Sequence, residues 1–466
     1  MNIRIKSVIL LCSLAVFGVS CSKPVAPDPG TDDEKIKVPD YMIVDQEYVS
    51  PDEYVSLLNN PLASIVPVDF FQEEFSKTKE ALADKIELFK KSGVNIKRVI
   101  FTYYSTNKLG KKVQLSVRLD YPVGGNGQVD ISSCTLFNHM FVPTASYAPT
   151  SFFCINELRV FHNAMVVVPD LQGYGTSTGV APNYSYMLED GRQSVDAVLI
   201  ARDIVKRDRH AFLADDCPTD NLGVSRGALA ALGFHKYCED LEDEALKKYI
   251  NLRGTFYAEV CPYLLAKISP MLEGSLFLNK TAAMLTCLSA IYNFPEYLGD
   301  LKPEDFFTEE FVNRKVSCQG AQMSMINAIL YGTWSILEQI SAWGGLSEGA
   351  GYEVLSPEFV NPDGSFITSS RQYKFFETID ALSDFITGWK LEHPITLAFC
   401  DSDEMVSPSS IDKMYSTLIN NTDQNVNLLT YSIDSVLKGL SDHALASFHW
   451  EFHCAQNPNP VFVQNQ

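Results

Sequence analysis

The chain has 466 residues, 46% of them hydrophobic and 20% charged, with a formal net charge of −20. That length exceeds one minimal domain, so one large core with a substantial insertion, or two domains, is expected. The acidic balance repels phosphate backbones and anionic headgroups, which excludes nucleic acid as an expected partner.

At the N-terminus, MNIRIKSVILLCSLAVFGVSC sets Arg4 and Lys6 ahead of a short apolar run. The run is shorter than the about 20 apolar residues of a spanning helix, so residues 1–20 read as a signal peptide. Gly18-Val19-Ser20-Cys21 resembles the bacterial lipobox, with Gly18 where Leu is usual. The resemblance implies cleavage before Cys21 and lipid on its thiol, each buried methylene contributing about 0.8 kcal/mol of membrane affinity. The expected location is the bacterial cell envelope, anchored at the periplasmic face or the cell surface; plain secretion is the alternative. Loss of Arg4 and Lys6 takes the formal charge from −20 to −22. Cys134, Cys154, Cys217, Cys238, Cys261, Cys287, Cys318, Cys400 and Cys454 remain downstream, an odd set that leaves at least one thiol free. None has Cys-x-x-Cys spacing, so no metal is expected.

Residues 21–40, rich in Pro and Asp, read as a flexible tether. A helical segment is expected over 41–96, from EEFSKTKEALADKIELFKKSG and its stop at Gly93. Strands are predicted next: KRVIFTYYST and KVQLSVRLDYPV around a turn at Asn107 to Lys111, then CTLF and AMVVVPD. RQSVDAVLIARDIVKR has Val195, Val198 and Leu199 at helical spacing. Alternating strand and helix argue for an α/β, mostly parallel sheet covered on both faces, with 97–261 as its first part. From 262 to 390, YLLAKISPMLEGSLFL, TAAMLTCLSAIY and AQMSMINAILYGTWSILEQISAW predict an apolar helical insertion. ITLAFCDSDEMV and VNLLTYSI then resume the sheet over 391–466.

Gly-x-Ser-x-Gly occurs twice, at Gly175–Gly179 within GYGTSTG and at Gly223–Gly227 in GVSRG. A nucleophilic serine on a tight elbow needs a strand before it and a helix at once behind it. Ser225 is followed by RGALAALGFHKYCEDL, which can start a helix immediately; Ser177 is followed by TGVAPNYSY, where Pro182 argues against one. Ser225 is therefore the better candidate, although the preceding CPTDNL is polar for a central strand. The glycines of GYGTSTG then serve a sharp turn beside the site.

A serine needs a base to take its proton and an acid to orient that base. Asp403 opens a loop behind the strand-like LAFC and precedes Pro408; Asp401, closer to the strand end, is the alternative acid. His443 lies in a loop-like setting before a helix and is the expected base. His449 and His453 are four apart, but HWEFH is not His-Glu-x-x-His and no third ligand offers itself. His139, after CTLF, is expected to shape a loop.

With these residues placed, the chain from about Lys97 onward resembles the α/β-hydrolase superfamily, in particular its secreted lipase and esterase branches with a helical cap. The resemblance rests on VVVPDLQGYGTS, GVSRGA, CDSDEMVSP and SDHALASF. It implies an α/β-hydrolase fold with an inserted helical cap, a triad of Ser225, His443 and Asp403, and an oxyanion hole from the N–H of Arg226 with a second near Met140. Two positions depart from the family: His139-Met140 stands where His-Gly is frequent, and Ala228 where a further Gly is common. The expected activity is cleavage of carboxylic esters by a monomer without cofactors, on a small-molecule ester. A serine peptidase of the prolyl-oligopeptidase type and a non-catalytic binding protein on the same scaffold are the alternatives. The Leu, Met, Phe and Tyr residues of the insertion either shelter an apolar substrate group or form the insertion's own core.

Overall fold

β-Branched and aromatic runs pair into one nine-stranded sheet. Its strands are β1 (Tyr41–Val49), β2 (Val94–Thr106), β3 (Lys112–Gly124), β4 (Ser133–Asn138), β5 (Ala164–Pro169), β6 (Thr219–Val224), β7 (Leu252–Ala258), β8 (Ile395–Cys400) and β9 (Val426–Tyr431). The structure, a computed structural model, describes residues 36–58, 68–141, 148–273, 277–318, 321–324, 326, 354–422, 426–433 and 442–462. The expected signal peptide, Cys21 and most of the tether lie outside these residues, as does the stretch 327–353 of the insertion. Strand order across the sheet is β1-β2-β3-β5-β4-β6-β7-β8-β9. β1, β2, β3 and β5 pair antiparallel in turn, whereas the pairings from β5 through β9 are parallel.

The parallel strands are buried on both faces, which is why they read as unbroken apolar runs rather than as alternation. Val166, Val167 and Val168 of β5 are 0% exposed, and each such burial contributes about 1.5–3 kcal/mol. β6 breaks this pattern and is nevertheless wholly buried. Its polar groups are bonded: Asn221 Nδ2 donates to Ala231 O at 2.7 Å and Thr255 Oγ1 at 3.1 Å, and Asp220 accepts from Arg253 Nε at 2.7 Å. A buried polar strand costs little once its hydrogen bonds are made.

Helices α1 (Pro51–Leu57), α2 (Val68–Ser92), α3 (Met187–Lys206), α4 (Arg226–Glu239), α5 (Glu244–Ile250), α6 (Leu264–Glu273), α7 (Phe277–Asn293), α8 (Glu309–Asn313), α9 (Arg371–Ser383), α10 (Pro408–Asn421) and α11 (Asp442–Gln456) lie among the described residues. Alternate strand residues serve opposite faces. Leu397 and Phe399 of β8 join Leu229 and Leu232 of α4 and Ile411 and Met414 of α10. Ala398 and Cys400 face Ala446 and Trp450 of α11 instead.

Two expectations need correction. The segment 41–96 is not helical at its start: Tyr41–Val49 is an edge strand paired with β2, because Met42, Ile43, Val44 and Tyr48 suit an extended half-solvated edge. AQMS, read as the start of a helix, is a strand paired antiparallel with Lys315–Cys318, cross-strand pairing having overridden local propensity. Between β7 and β8, α6 to α9 surround an apolar cluster of their own that includes Leu264, Ile268, Leu288, Phe306 and Phe376. These residues form the insertion's core. Met405, from the turn after β8, joins the same cluster. Cys134, Cys154, Cys217, Cys238, Cys261, Cys287, Cys400 and Cys454 are free thiols; the Cys318 side chain lies outside the described residues.

Candidate active site

The parallel strands deliver their carboxyl ends to one edge of the sheet, and the candidate side chains arise there. Ser225 directly follows β6 and caps α4 at φ +54°, a left-handed conformation that a serine adopts only under constraint. Its N–H is fixed on Ala258 O at 2.8 Å. The turn closes because Gly223 and Gly227 lack side chains. A Cβ on Gly223 would overlap the Gly227 carbonyl, and one on Gly227 would overlap the carbonyls of Asn138 and His139. That second approach also brings the end of β4 against the start of α4.

Ser225 Oγ lies 2.7 Å from His443 Nε2. His443, in the first turn of α11, has Nδ1 2.7 Å from Asp403 Oδ2. Asp403 sits in the turn after β8, and its Oδ1 accepts from the N–H groups of Met405 and Val406, each at 2.7 Å. His443 is 5% exposed and Asp403 6%. Burial opposes charge on the imidazole, but the Asp403 carboxylate and its hydrogen bond, with Glu404 beyond, outweigh it and raise His443 above the ordinary histidine value. Burial likewise disfavours the Asp403 anion, yet His443 and the donors around the carboxyl hold it below the usual carboxylate range. A hydroxyl, an imidazole and a carboxylate thus form one chain along which a proton can leave the hydroxyl.

The other sequence candidates separate clearly. Asp401 is exposed and accepts from Ser432 Oγ at 2.5 Å, whereas His443 Nδ1 is paired with Asp403. Ser177 is buried in its own turn, where its Oγ accepts from Gly173 N at 2.9 Å and donates to Tyr174 O at 2.7 Å. The glycines around it wrap Asp170: a Cβ on Gly175, at φ +54°, would overlap the Asp170 carboxylate. That carboxylate accepts from Ser116 Oγ, Thr150 N and Thr150 Oγ1 at 2.5, 2.8 and 2.6 Å. His139 has one ring nitrogen 2.6 Å from Met140 O and the other 2.9 Å from Asp170 O. Burial pulls its pKa down to about 4, and the ring lies between the end of β4 and the end of β5. His449 stacks on Tyr431 at 3.7 Å and His453 on Phe256 at 5.8 Å, packing roles in both cases.

Arg226 opens α4, where backbone N–H groups have no intrahelical partner. Its side chain bonds Asp190 Oδ2 at 2.5 Å and lies over the Tyr184 ring. Met140 follows β4 at the same edge. Among the described residues, two clusters have metal-ligand composition: His235, Glu239 and His393, and Glu259, Asp403 and His443. In the first, Glu239 Oε1 accepts from His235 Nε2 at 2.8 Å and from the N–H groups of Glu392 and His393 at 2.8 and 2.9 Å. Those bonds account for its placement. Glu259 was not anticipated; the only signal was an acid immediately after the strand TFYA, beside the serine-bearing strand.

The esterase LipA of Xanthomonas oryzae, described as degrading rice cell wall, superposes with a TM-score of 0.62 at 13% identity, covering 89% of this chain and 96% of that one. The chain has the α/β-hydrolase fold. A Legionella pneumophila protein described as a hydrolase is similar at TM-score 0.56 and 13% identity, over 92% of this chain and 100% of that one. No protein-family model matches the chain, and neither does any curated protein. At such identity the likeness carries the fold alone.

Proposed function

We propose that the protein is a serine hydrolase that cleaves carboxylic esters through an acyl-enzyme. The observation that carries this reading is the unbroken line from Ser225 Oγ through His443 to Asp403, two contacts of 2.7 Å, on a strained elbow. In the proposed reaction His443 Nε2 takes the Ser225 proton as Oγ attacks the ester carbonyl. Asp403 holds Nδ1–H and stabilises the imidazolium. The N–H of Arg226, with a second donor near Met140, receives the developing oxyanion. Collapse expels the alcohol with the proton from Nε2, and water repeats the sequence on the acyl-enzyme. The insertion acts as a cap over this edge of the sheet, Met405 linking its core to the acid turn.

Labelling of the full chain by a fluorophosphonate probe, lost in Ser225→Ala, tests the enzyme reading against a binding protein. Aryl esters of rising chain length beside aminoacyl-arylamides test ester against peptide; faster turnover of the arylamides would overturn the ester assignment.

We also propose a lipid anchor at Cys21. Among the described residues no helix is long and apolar enough to cross a membrane. The mature protein should partition into detergent, and Cys21→Ala should release it or block maturation. A wild-type chain that stays in the aqueous phase contradicts the anchor.

A further inference from the structure

A second carboxyl stands behind the proposed triad acid. Glu259 directly follows β7, and at φ +56° it is left-handed, as Ser225 is at the end of the adjacent strand. Its N–H is held by Ala398 O of β8 at 2.9 Å, and it is 1% exposed. Trp450 Nε1, from the helix that also carries His443, donates to Oε1 at 3.1 Å. Oε2 is buried and, among the described residues, no N–H or hydroxyl reaches it. Its neighbour is the Asp403 carboxyl: Glu259, Asp403 and His443 each place one atom within 4.8 Å of the other two.

Two carboxylates this close in a water-poor site do not both ionise. The partners decide which one keeps a proton. Asp403 takes two backbone N–H groups and the imidazole; Glu259 takes one indole N–H. We propose that Glu259 is a positioning residue for the triad, a neutral carboxylic acid whose O–H donates from Oε2 to the Asp403 carboxylate. The inference rests on Asp403 being the acid that orients His443.

The electrostatics point the same way: burial and Asp403 push the Glu259 carboxyl well above the usual carboxylate range, while Asp403 lies below it. The other titratable groups facing this pair are His443 from α11, Cys400 at the end of β8, and Glu404, whose carboxylate accepts His443 N–H at 3.1 Å. The arrangement limits the charge of the Glu259–Asp403 pair to one. A second anion would raise the imidazolium pKa further and leave less neutral base at neutral pH. The donated hydrogen bond also locks the Asp403 plane, so that Oδ2 stays on His443. The left-handed backbone keeps Glu259 aimed inward, a strain of the kind found at functional positions.

The test compares Glu259→Gln and Glu259→Leu in the full chain, each first checked for folding by thermal melting. Glu259→Gln keeps a neutral donor, so kcat/KM on an aryl ester should stay within about threefold of wild type, with an unmoved acid limb. Glu259→Leu removes the donor; kcat should fall roughly 10- to 100-fold at little-changed KM, with the acid limb shifted upward. A Glu259→Gln limb lowered by about one pH unit or more would mean that the native group is ionised, and would overturn the proposal. So would a Glu259→Leu variant equal to wild type in rate and limb. Independently of turnover, a wild-type minus Glu259→Gln infrared difference spectrum at neutral pH should contain a protonated-carboxyl C=O band; its absence contradicts the neutral acid. If wild type neither turns over nor labels while the band is present, the hydrolase reading fails and the protonation of Glu259 stands.

Discussion

Ser225 and Ser177 stand in the same five-residue spacing within one chain, and their surroundings differ in every other respect. Ser225 is strained, half-buried, and in contact with an imidazole. Ser177 is buried, and its hydroxyl is consumed by its own loop. What separates them is the residue run that follows. RGALAALG starts a helix at once and holds the serine at the sheet edge, whereas TGVAP cannot, so the chain folds back around Asp170. Spacing supplies a turn; the neighbouring elements decide what the turn presents.

The largest effect that sharpens this contrast is Ser225→Ala. It removes the atom that would form the acyl-enzyme, and turnover should fall by roughly 10⁴- to 10⁶-fold with the fold retained. An ester-hydrolysis rate within tenfold of wild type would break the comparison. Next comes the acid. Asp403→Asn should lower kcat by roughly 10³- to 10⁴-fold, since the base survives but is misoriented. Asp401→Asn, which changes only an exposed acceptor of the Ser432 hydroxyl, should stay within about twofold. The reverse ranking would transfer the acid role.

The pH profile follows from the raised pKa of His443. The base acts when neutral, so kcat/KM should decline as pH falls through that pKa, with the midpoint above the ordinary histidine value of 6.5. A midpoint below 6.5 would mean that burial outweighs Asp403. Ser177→Ala should have the smallest catalytic effect. It leaves Gly173 N–H without its partner and should cost on the order of 1–3 kcal/mol of stability, read by denaturant unfolding, with activity changed only modestly.

Much of this was legible in the sequence for identifiable reasons. β5 and β8 declared themselves because both faces are buried, and α2 ended where expected because Gly93 takes a positive φ. The positions of Ser225, Asp403 and His443 could be read because each follows a recognisable strand-to-turn junction or opens a helix. β6 was harder. Its Thr219, Asp220 and Asn221 look unsuited to a core until the partners on neighbouring elements are known, and those lie far along the chain. β1 was missed because an edge strand with mixed polarity resembles a solvated segment. Glu259 was invisible for the same reason as β6: its meaning comes from Asp403 and Trp450, brought to it only by the closed sheet and α11.

Mapping the site of covalent labelling tests the central claim most directly. The full chain is treated with a fluorophosphonate, digested, and its peptides read by mass spectrometry. The account predicts one adduct, on Ser225 in the peptide that carries GVSRG, absent when His443 is replaced by Ala. An adduct on Ser177, or none at a pH where His443 is neutral, would contradict it.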